Sequence, residues 1–311
     1  TIGDYSGTIT NIVPEGDNVL VTAVGGIYNQ YAQNFNNCAP AFSKTLTGGW
    51  KQISIAGDVT WACTNFGRPD PVTTTSTSGV EINGYNSSTG MGAVNEDWLI
   101  SPSFDLTTVS IPVLSFWSKS SFAGPALKVM ISTDYDGSSA PATATWTELN
   151  VLLPEVGSEV WTKSEALLDL FKQPSVHVAF VYTSVAEING SSRWTIDDFL
   201  ITDEPRKLVA TNATYDFGAI AAGNFTEAQY VTFKALGFTD DIVISSDLVD
   251  FEVSKDNITF TQSVTYTAAE AAEGEELFIR FLPKSTALRF KGTISATSGN
   301  DFEQILGTVK G

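Results

Sequence analysis

The sequence predicts an all-β protein built as two sandwiches in tandem. Helical periodicity is nearly absent. In its place stand short alternating runs of Val, Ile, Thr, Phe and Tyr, divided by clusters of Gly, Asn, Asp and Ser. A charged, proline-bearing break, Asp203-Glu204-Pro205-Arg206-Lys207, separates the runs into two sets as a linker does.

A chain of 311 residues is long enough for two cores of ordinary size. Apolar residues make up 42% and aromatics 11%, a folded rather than a disordered composition. The 17 Lys+Arg stand against 35 Asp+Glu, a formal charge of −18. Such a surface repels nucleic acid and anionic membranes and favours divalent cations as counter-charge. No stretch approaches the ~18 apolar residues of a spanning helix, so no membrane insertion of this fragment is expected. The chain starts at Thr1 without a leader, lipobox-like Cys or initiator Met, and is read as a mature or trimmed fragment. Cys38 and Cys63 are the only cysteines. Either they are unpaired core residues, or they form a disulfide in an oxidising compartment.

Residues 1–26 hold two candidate strands, Tyr5–Ile12 and Asn18–Ala23, about a Pro-Glu-Gly-Asp turn; they are too small to fold alone. Residues 27–203 form the first set: Ile27–Phe35, Trp50–Ile55, Val59–Thr64, Gly79–Gly84, Asp97–Ser101, Ile111–Lys119, Ala126–Thr133, Thr145–Leu149, Glu159–Ala166, Val176–Ser184 and Arg193–Thr202. Gly67–Ser78 is low in complexity and reads as an exposed loop. In Val176–Tyr182 alternation puts Val176, Val178, Phe180 and Tyr182 on one face and His177 on the other. Leu167–Lys172 allows one helical turn. Asn95–Leu106 (NEDWLISPSFDL) ends its strand at a Ser-Pro stop, because proline offers no N–H to a ladder.

Residues 204–311 supply the second set: Gln229–Lys234, Asp241–Ser245, Phe251–Val253, Val264–Thr267, Glu276–Phe281, Phe290–Ala296 and Gln304–Val309. About seven strands in a hundred residues fit an immunoglobulin-like sandwich. Ala268–Gly274 is a loop or a single helical turn.

In the first set several pieces occur in order: YAQNFNN (Tyr31–Asn37), Gly49-Trp50, Trp61, Phe66-Gly67, NGY (Asn83–Tyr85), NEDWLISPSFDL, Leu114–Gly137, TATWTEL (Thr143–Leu149), VAFVYTS (Val178–Ser184) and WTIDDFLIT (Trp194–Thr202). In this the chain resembles the cleaved-adhesin, or choice-of-anchor J, family of bacterial surface proteins common in Bacteroidetes. The resemblance implies a jelly-roll β-sandwich, related in shape to many carbohydrate-binding modules. The closing hundred residues, with YDFGAIAAG (Tyr215–Gly223), FIRFLP (Phe278–Pro283) and FKGTI (Phe290–Ile294), look like the immunoglobulin-type spacers that follow such domains.

Asp197 and Asp198 interrupt an apolar strand, and successive strand residues face opposite sides. A buried carboxylate needs a partner, and calcium supplies one through six to eight oxygens. The resemblance implies a calcium where first and last strands meet, held by Asp197 ahead of Asp198. The first strand offers Asn34 rather than an acid; Asp58 and Asp97 can add charge. The alternative is that Asp97, Asp197 and Asp198 cap amides or sit in solvated turns. Asp134-Tyr135-Asp136-Gly137 lacks the downstream Glu of a calcium loop and reads as a polar turn.

Trp50, Trp61, Tyr85 and Trp98 fall in the loop-rich first half, where an aromatic face can stack on a sugar ring. Against this, Trp is more often core in a sandwich. Trp117, Trp146, Trp161 and Trp194 lie in strand patterns and read as packing. Catalysis has little support: His177 is the lone histidine, adjacent carboxylates such as Glu96/Asp97 point apart on a strand, and no phosphate loop is present. The expectation is therefore a non-catalytic extracellular or outer-membrane surface pair, calcium-stabilised, acting in adhesion or a cell-surface assembly on a glycan or a surface protein. A carbohydrate-binding module is the alternative, and a hydrolase the third reading.

Overall fold

A computed structural model of the chain describes residues 6–10, 20–24, 28–70, 77–211, 214–287 and 289–311. The expected turn at Pro14–Asp17, the strand start at Ile27 and positions 71–76 of the Gly67–Ser78 loop lie outside the described residues. Strands β1 (Ser6–Thr10) and β2 (Leu20–Val24) pair antiparallel.

The first sandwich takes β3 (Tyr28–Gln33), β4 (Lys51–Ala56), β5 (Ala62–Thr64), β6 (Gly79–Asn83), β7 (Tyr85–Asn86), β8 (Met91–Gly92), β9 (Asn95–Ile100), β10 (Pro112–Ser121), β11 (Lys128–Ser132), β12 (Thr147–Glu148), β13 (Thr162–Leu167), β14 (His177–Ser184) and β15 (Arg193–Asp203). One sheet is ordered β13-β10-β15-β6-β5 with β3 also on β15, and the other β12-β11-β14-β9-β4. From β9 onward the chain crosses between sheets at each step except β11 to β12, the connectivity of a jelly roll.

Its core follows the period of two. Leu99 of β9 and Val178, Phe180 and Tyr182 of β14 face Leu114 and Phe116 of β10 and Trp194, Ile196, Phe199 and Ile201 of β15. Phe180 meets Phe116 at 4.8 Å, and Trp50 meets Phe199 edge-on at 5.0 Å. Each such fully buried aromatic contributes roughly 2–3 kcal/mol. His177 lies on the opposite face, as its register predicts, yet it is buried: a second apolar cluster on that outer face covers it, with Tyr135 5.1 Å from its ring.

β15 carries the main irregularity. Its inward residues are Trp194 and Ile196, then Phe199 and Ile201, so one extra residue intervenes. The register against β10 slips there, from Trp117 opposite Asp197 to Ser115 opposite Leu200, and Asp198 takes φ 47°. The two acids that interrupt this strand in sequence thus form a β-bulge, and simple alternation does not hold across them. The other edge of β15 is divided between two strands: Arg193–Ile196 pair with β6, Phe199–Asp203 with β3.

The second sandwich comprises β16 (Lys207–Ala210), β17 (Thr214–Asp216), β18 (Gln229–Leu236), β19 (Ile242–Ser246), β20 (Phe251–Ser254), β21 (Ser263–Tyr266), β22 (Glu275–Phe281), β23 (Lys291–Ser298) and β24 (Phe302–Lys310). Its sheets are ordered β16-β18-β22-β20 and β17-β24-β23-β19-β21, an immunoglobulin-like layering. Ala268–Gly274 resolves as the short helix α1 (Ala268–Glu273), fixed by a reciprocal cap between Thr267 and Glu270. A separate core of Phe233, Phe251, Tyr266, Phe281 and Ile294 fills it. Where the two sandwiches meet, Lys207 reaches Glu165 at 2.9 Å and Lys234 reaches Asp169 at 2.7 Å.

Candidate functional site

The loops at one end of the first sandwich enclose a cavity of about 530 Å³. Three pieces of chain build it: the β6–β8 hairpin, the turn after β10, and the turn between β14 and β15. Tyr182 ties two of them together. Its hydroxyl accepts from Gly84 N at 2.8 Å and donates to Ser192 O at 2.9 Å. Gly92 permits the close approach of hairpin and turn, since a Cβ there would come within 2.3 Å of Val185 O.

Tyr85 and Phe122 bring two rings to this cavity, 54% and 55% exposed, and Ile188 adds apolar surface at 75%. Exposed rings on one concavity are unlike scattered surface apolars, because they present a face for stacking. Phe122 takes φ 65°, a left-handed backbone that a bulky residue rarely adopts. Asn83, Asn189 and Ser191 supply amide and hydroxyl groups to the wall. Arg193 stands at the centre: in register it lies opposite Asn83 on one side and Ser121 on the other. Its Nη2 donates to Ser121 Oγ at 3.2 Å, and its guanidinium sits 5.2 Å from the centre of the Phe122 ring.

Of the four aromatics expected to bind a ligand, the structure brings Tyr85 alone to this cavity. Trp50 is 4% exposed and Trp61 fully buried, both in the core, so neither ring has a free face. Their indole N–H groups are used internally, on Tyr31 Oη and Asp97 O. Trp98 lies half-buried against Trp146 at 5.2 Å on the outer face of the β9 sheet, its Nε1 donating to Glu96. The physical reason is the usual one: apolar area outweighs loop-like surroundings in deciding where a Trp goes. Phe122, Arg193, Asn83 and Asn189 are not evident from strand patterning. The one available signal was a bulky aromatic directly ahead of an Ala-Gly-Pro turn.

The expected calcium ligands do not converge. Asp197 is buried, but its carboxylate already accepts from Asp198 N at 2.8 Å, Arg68 N at 2.7 Å and Thr77 Oγ1 at 3.1 Å. Three of the carboxylate's roughly four acceptor sites are therefore engaged, one of them by a hydroxyl that also faces Arg68 O at 2.7 Å. Burial, joined by the Asp198 charge, pushes its pKa up to about 7 against those donors. Asp198 pairs with Arg68 at 2.9 Å, a cation supplied by the chain itself. Asn34 Oδ1 accepts from Asn36 N in a local turn, and Asp58 is exposed. Among the described residues no three His, Cys, Asp or Glu side chains come together as a metal site. This donor set does not fit a calcium ion.

Asp97 is different. It faces inward on β9, 1% exposed, and among the described residues neither carboxylate oxygen has a hydrogen-bond partner. The nearby Ser54 hydroxyl is turned to Ala56 O and Gly57 O, each at 3.4 Å. Burial raises the Asp97 pKa to about 6, outweighing the pull of Ser54. Glu96 points to the other face, so the two acids do not cooperate. His177 Nδ1 lies 2.9 Å from Ser101 O, and burial lowers its pKa, leaving a neutral ring engaged in packing. Cys38 and Cys63 form a disulfide with a Cα–Cα distance of 5.3 Å.

No family and no curated protein matches the sequence. Among solved structures, the chain is similar to the K1 cleaved adhesin domain of Lys-gingipain from Porphyromonas gingivalis W83, at 18% identity and TM-score 0.39, over 57% of this chain and 98% of that one. It is similar to the K3 cleaved adhesin domain of the same protein at 20% identity and TM-score 0.35, over 55% and 98%. The CBM22-1-CBM22-2 tandem domain of Paenibacillus barcinonensis Xyn10C is similar at 13% identity and TM-score 0.35, over 84% and 91%.

Proposed function

We propose that the chain is a pair of non-catalytic extracellular modules, residues 27–203 and 204–311, of the choice-of-anchor J type that the motifs suggest. In this reading the first module binds a carbohydrate in the Tyr85–Phe122 cavity and the second acts as a spacer. The observation that carries it is the convergence of two exposed aromatic rings on one cavity walled by amide and hydroxyl groups. Stacking on the C–H face of a sugar, with amides to its hydroxyls, is the chemistry such a wall supports. The Cys38–Cys63 disulfide supports an oxidising, extracellular setting.

A glycan array followed by calorimetry tests the reading. Wild-type protein should bind at least one glycan class, and Tyr85→Ala with Phe122→Ala should abolish binding while the melting temperature holds. Equal binding by the double variant, or no glycan bound by the wild type, overturns it.

A further inference from the structure

We infer that the sugar held in this cavity carries a carboxylate, as a uronic or sialic acid does, and that Arg193 is its charged partner; this rests on the carbohydrate reading above. Among the described residues lining the cavity Arg193 is the charged one, and none is acidic. That is notable in a chain whose acids outnumber its bases 35 to 17. Arg68, Arg206 and Arg280 each pair with a carboxylate, at 2.9, 3.1 and 2.7 Å. Arg193 instead bonds to the neutral Ser121 hydroxyl, and its buried Nε–H has no acceptor among the described residues. Its charge is thus left unneutralised beside a half-apolar wall.

Holding an unpaired guanidinium in such a place is costly, and the surrounding contacts fix it without cancelling it. Phe122 attracts it through the ring face, which leaves the in-plane N–H groups to seek an acceptor elsewhere. A planar fork of N–H donors matches a planar carboxylate in two parallel bonds, whereas a neutral hydroxyl satisfies one at a time. Tyr85 would stack on the ring of the same residue, and Asn83 and Asn189 would meet its hydroxyls. The net charge of −18 opposes any anion at long range. At physiological ionic strength that repulsion is screened beyond roughly 8 Å, so the local guanidinium decides.

The experiment is calorimetric titration of the full chain with oligosaccharides of glucuronate, galacturonate, mannuronate and sialate, each against its methyl-esterified, uncharged counterpart. At least one acid form should bind about tenfold or more tighter than its ester, the loss expected for one charge-assisted pair. Arg193→Gln should erase that preference and bind acid and ester alike, and Arg193→Lys should retain part of it. The acid–ester comparison uses wild-type protein alone, so a poorly folded variant does not blunt it. If acid and ester bind equally, or if Arg193→Gln keeps the preference, the inference falls while the carbohydrate reading stands. If no acidic sugar binds, it falls as well, and if the neutral glycans also fail, the carbohydrate reading falls with it.

Discussion

The guanidinium of Arg68 lies 3.8 Å above the centre of the Trp117 ring. From there Nη1 reaches Asp198 at 2.9 Å, while its backbone N–H holds Asp197. One residue of the loop after β5 thereby clamps both acids of the β15 bulge. Arg68→Ala should lower stability by about 1–2 kcal/mol, through the lost ring contact and a half-exposed ion pair. Urea unfolding checks this; a change under a few tenths of a kcal/mol would show the clamp to be ornamental. Gly67→Ala should act in the same direction, since a Cβ would meet Ser78 O at 2.4 Å.

Calcium and EDTA should give the same melting temperature. The reasons are the three donors already aimed at Asp197 and the cation already paired with Asp198. A fall in EDTA, reversed by calcium and missing in Asp97→Asn, would instead locate an ion at Asp97.

Asp97 and Asp197 should make stability rise as pH falls from 8 toward 5, while His177, whose pKa burial lowers, works against them below the ordinary imidazole value. Asp97 and Asp197 have pKa values raised by burial to about 6 and about 7, so the native state takes up protons before the unfolded chain does. Stability is then lost as pH climbs from the ordinary carboxylate value through these raised ones. Asp97 alone accounts for roughly 3 kcal/mol at most, at 1.36 kcal/mol per unit. Asp256 and Glu270 are both held low, at about 2, the first by the N–H groups of Thr259 and Ile258, the second by the Thr267 N–H. Their contribution runs the other way and is lost only in stronger acid. Urea midpoints of wild type and Asp97→Asn at pH 5 and 8 check the sign: the variant should show the shallower slope.

Reduction of Cys38–Cys63, which closes a loop of 25 residues, should cost about 3–4 kcal/mol in the chain-entropy account. Thermal melts with and without reductant read it directly, and an unchanged midpoint would mean the core around Trp61 holds the loop unaided.

Much of the architecture was legible because alternation reports burial directly. The face shared by Val176, Val178, Phe180 and Tyr182 emerged intact. The site was far less legible. Trp50 and Trp61 look like loop aromatics in sequence, but pairing with Phe35, Phe180 and Phe199 across the sheets takes Trp50 inside, and sequence spacing carries no record of that. The bulge at Asp197-Asp198 likewise depends on register against β10. Arg193 and Tyr85 stand far apart in the chain and come to one cavity because β15 pairs with β6, which leads into the Tyr85 hairpin.

The shared edge of β15 has a consequence for how the molecule comes into being. This strand is the keystone of its sheet: β10 lies on one side and both β3 and β6 on the other, with Tyr31 set opposite Ile201. A nascent chain must therefore carry β3 unmated, and β6 with one edge open, until the last strand of the module leaves the ribosome. A product halted before residue 193 would keep neither seam, and its stranded edges would be open to strangers.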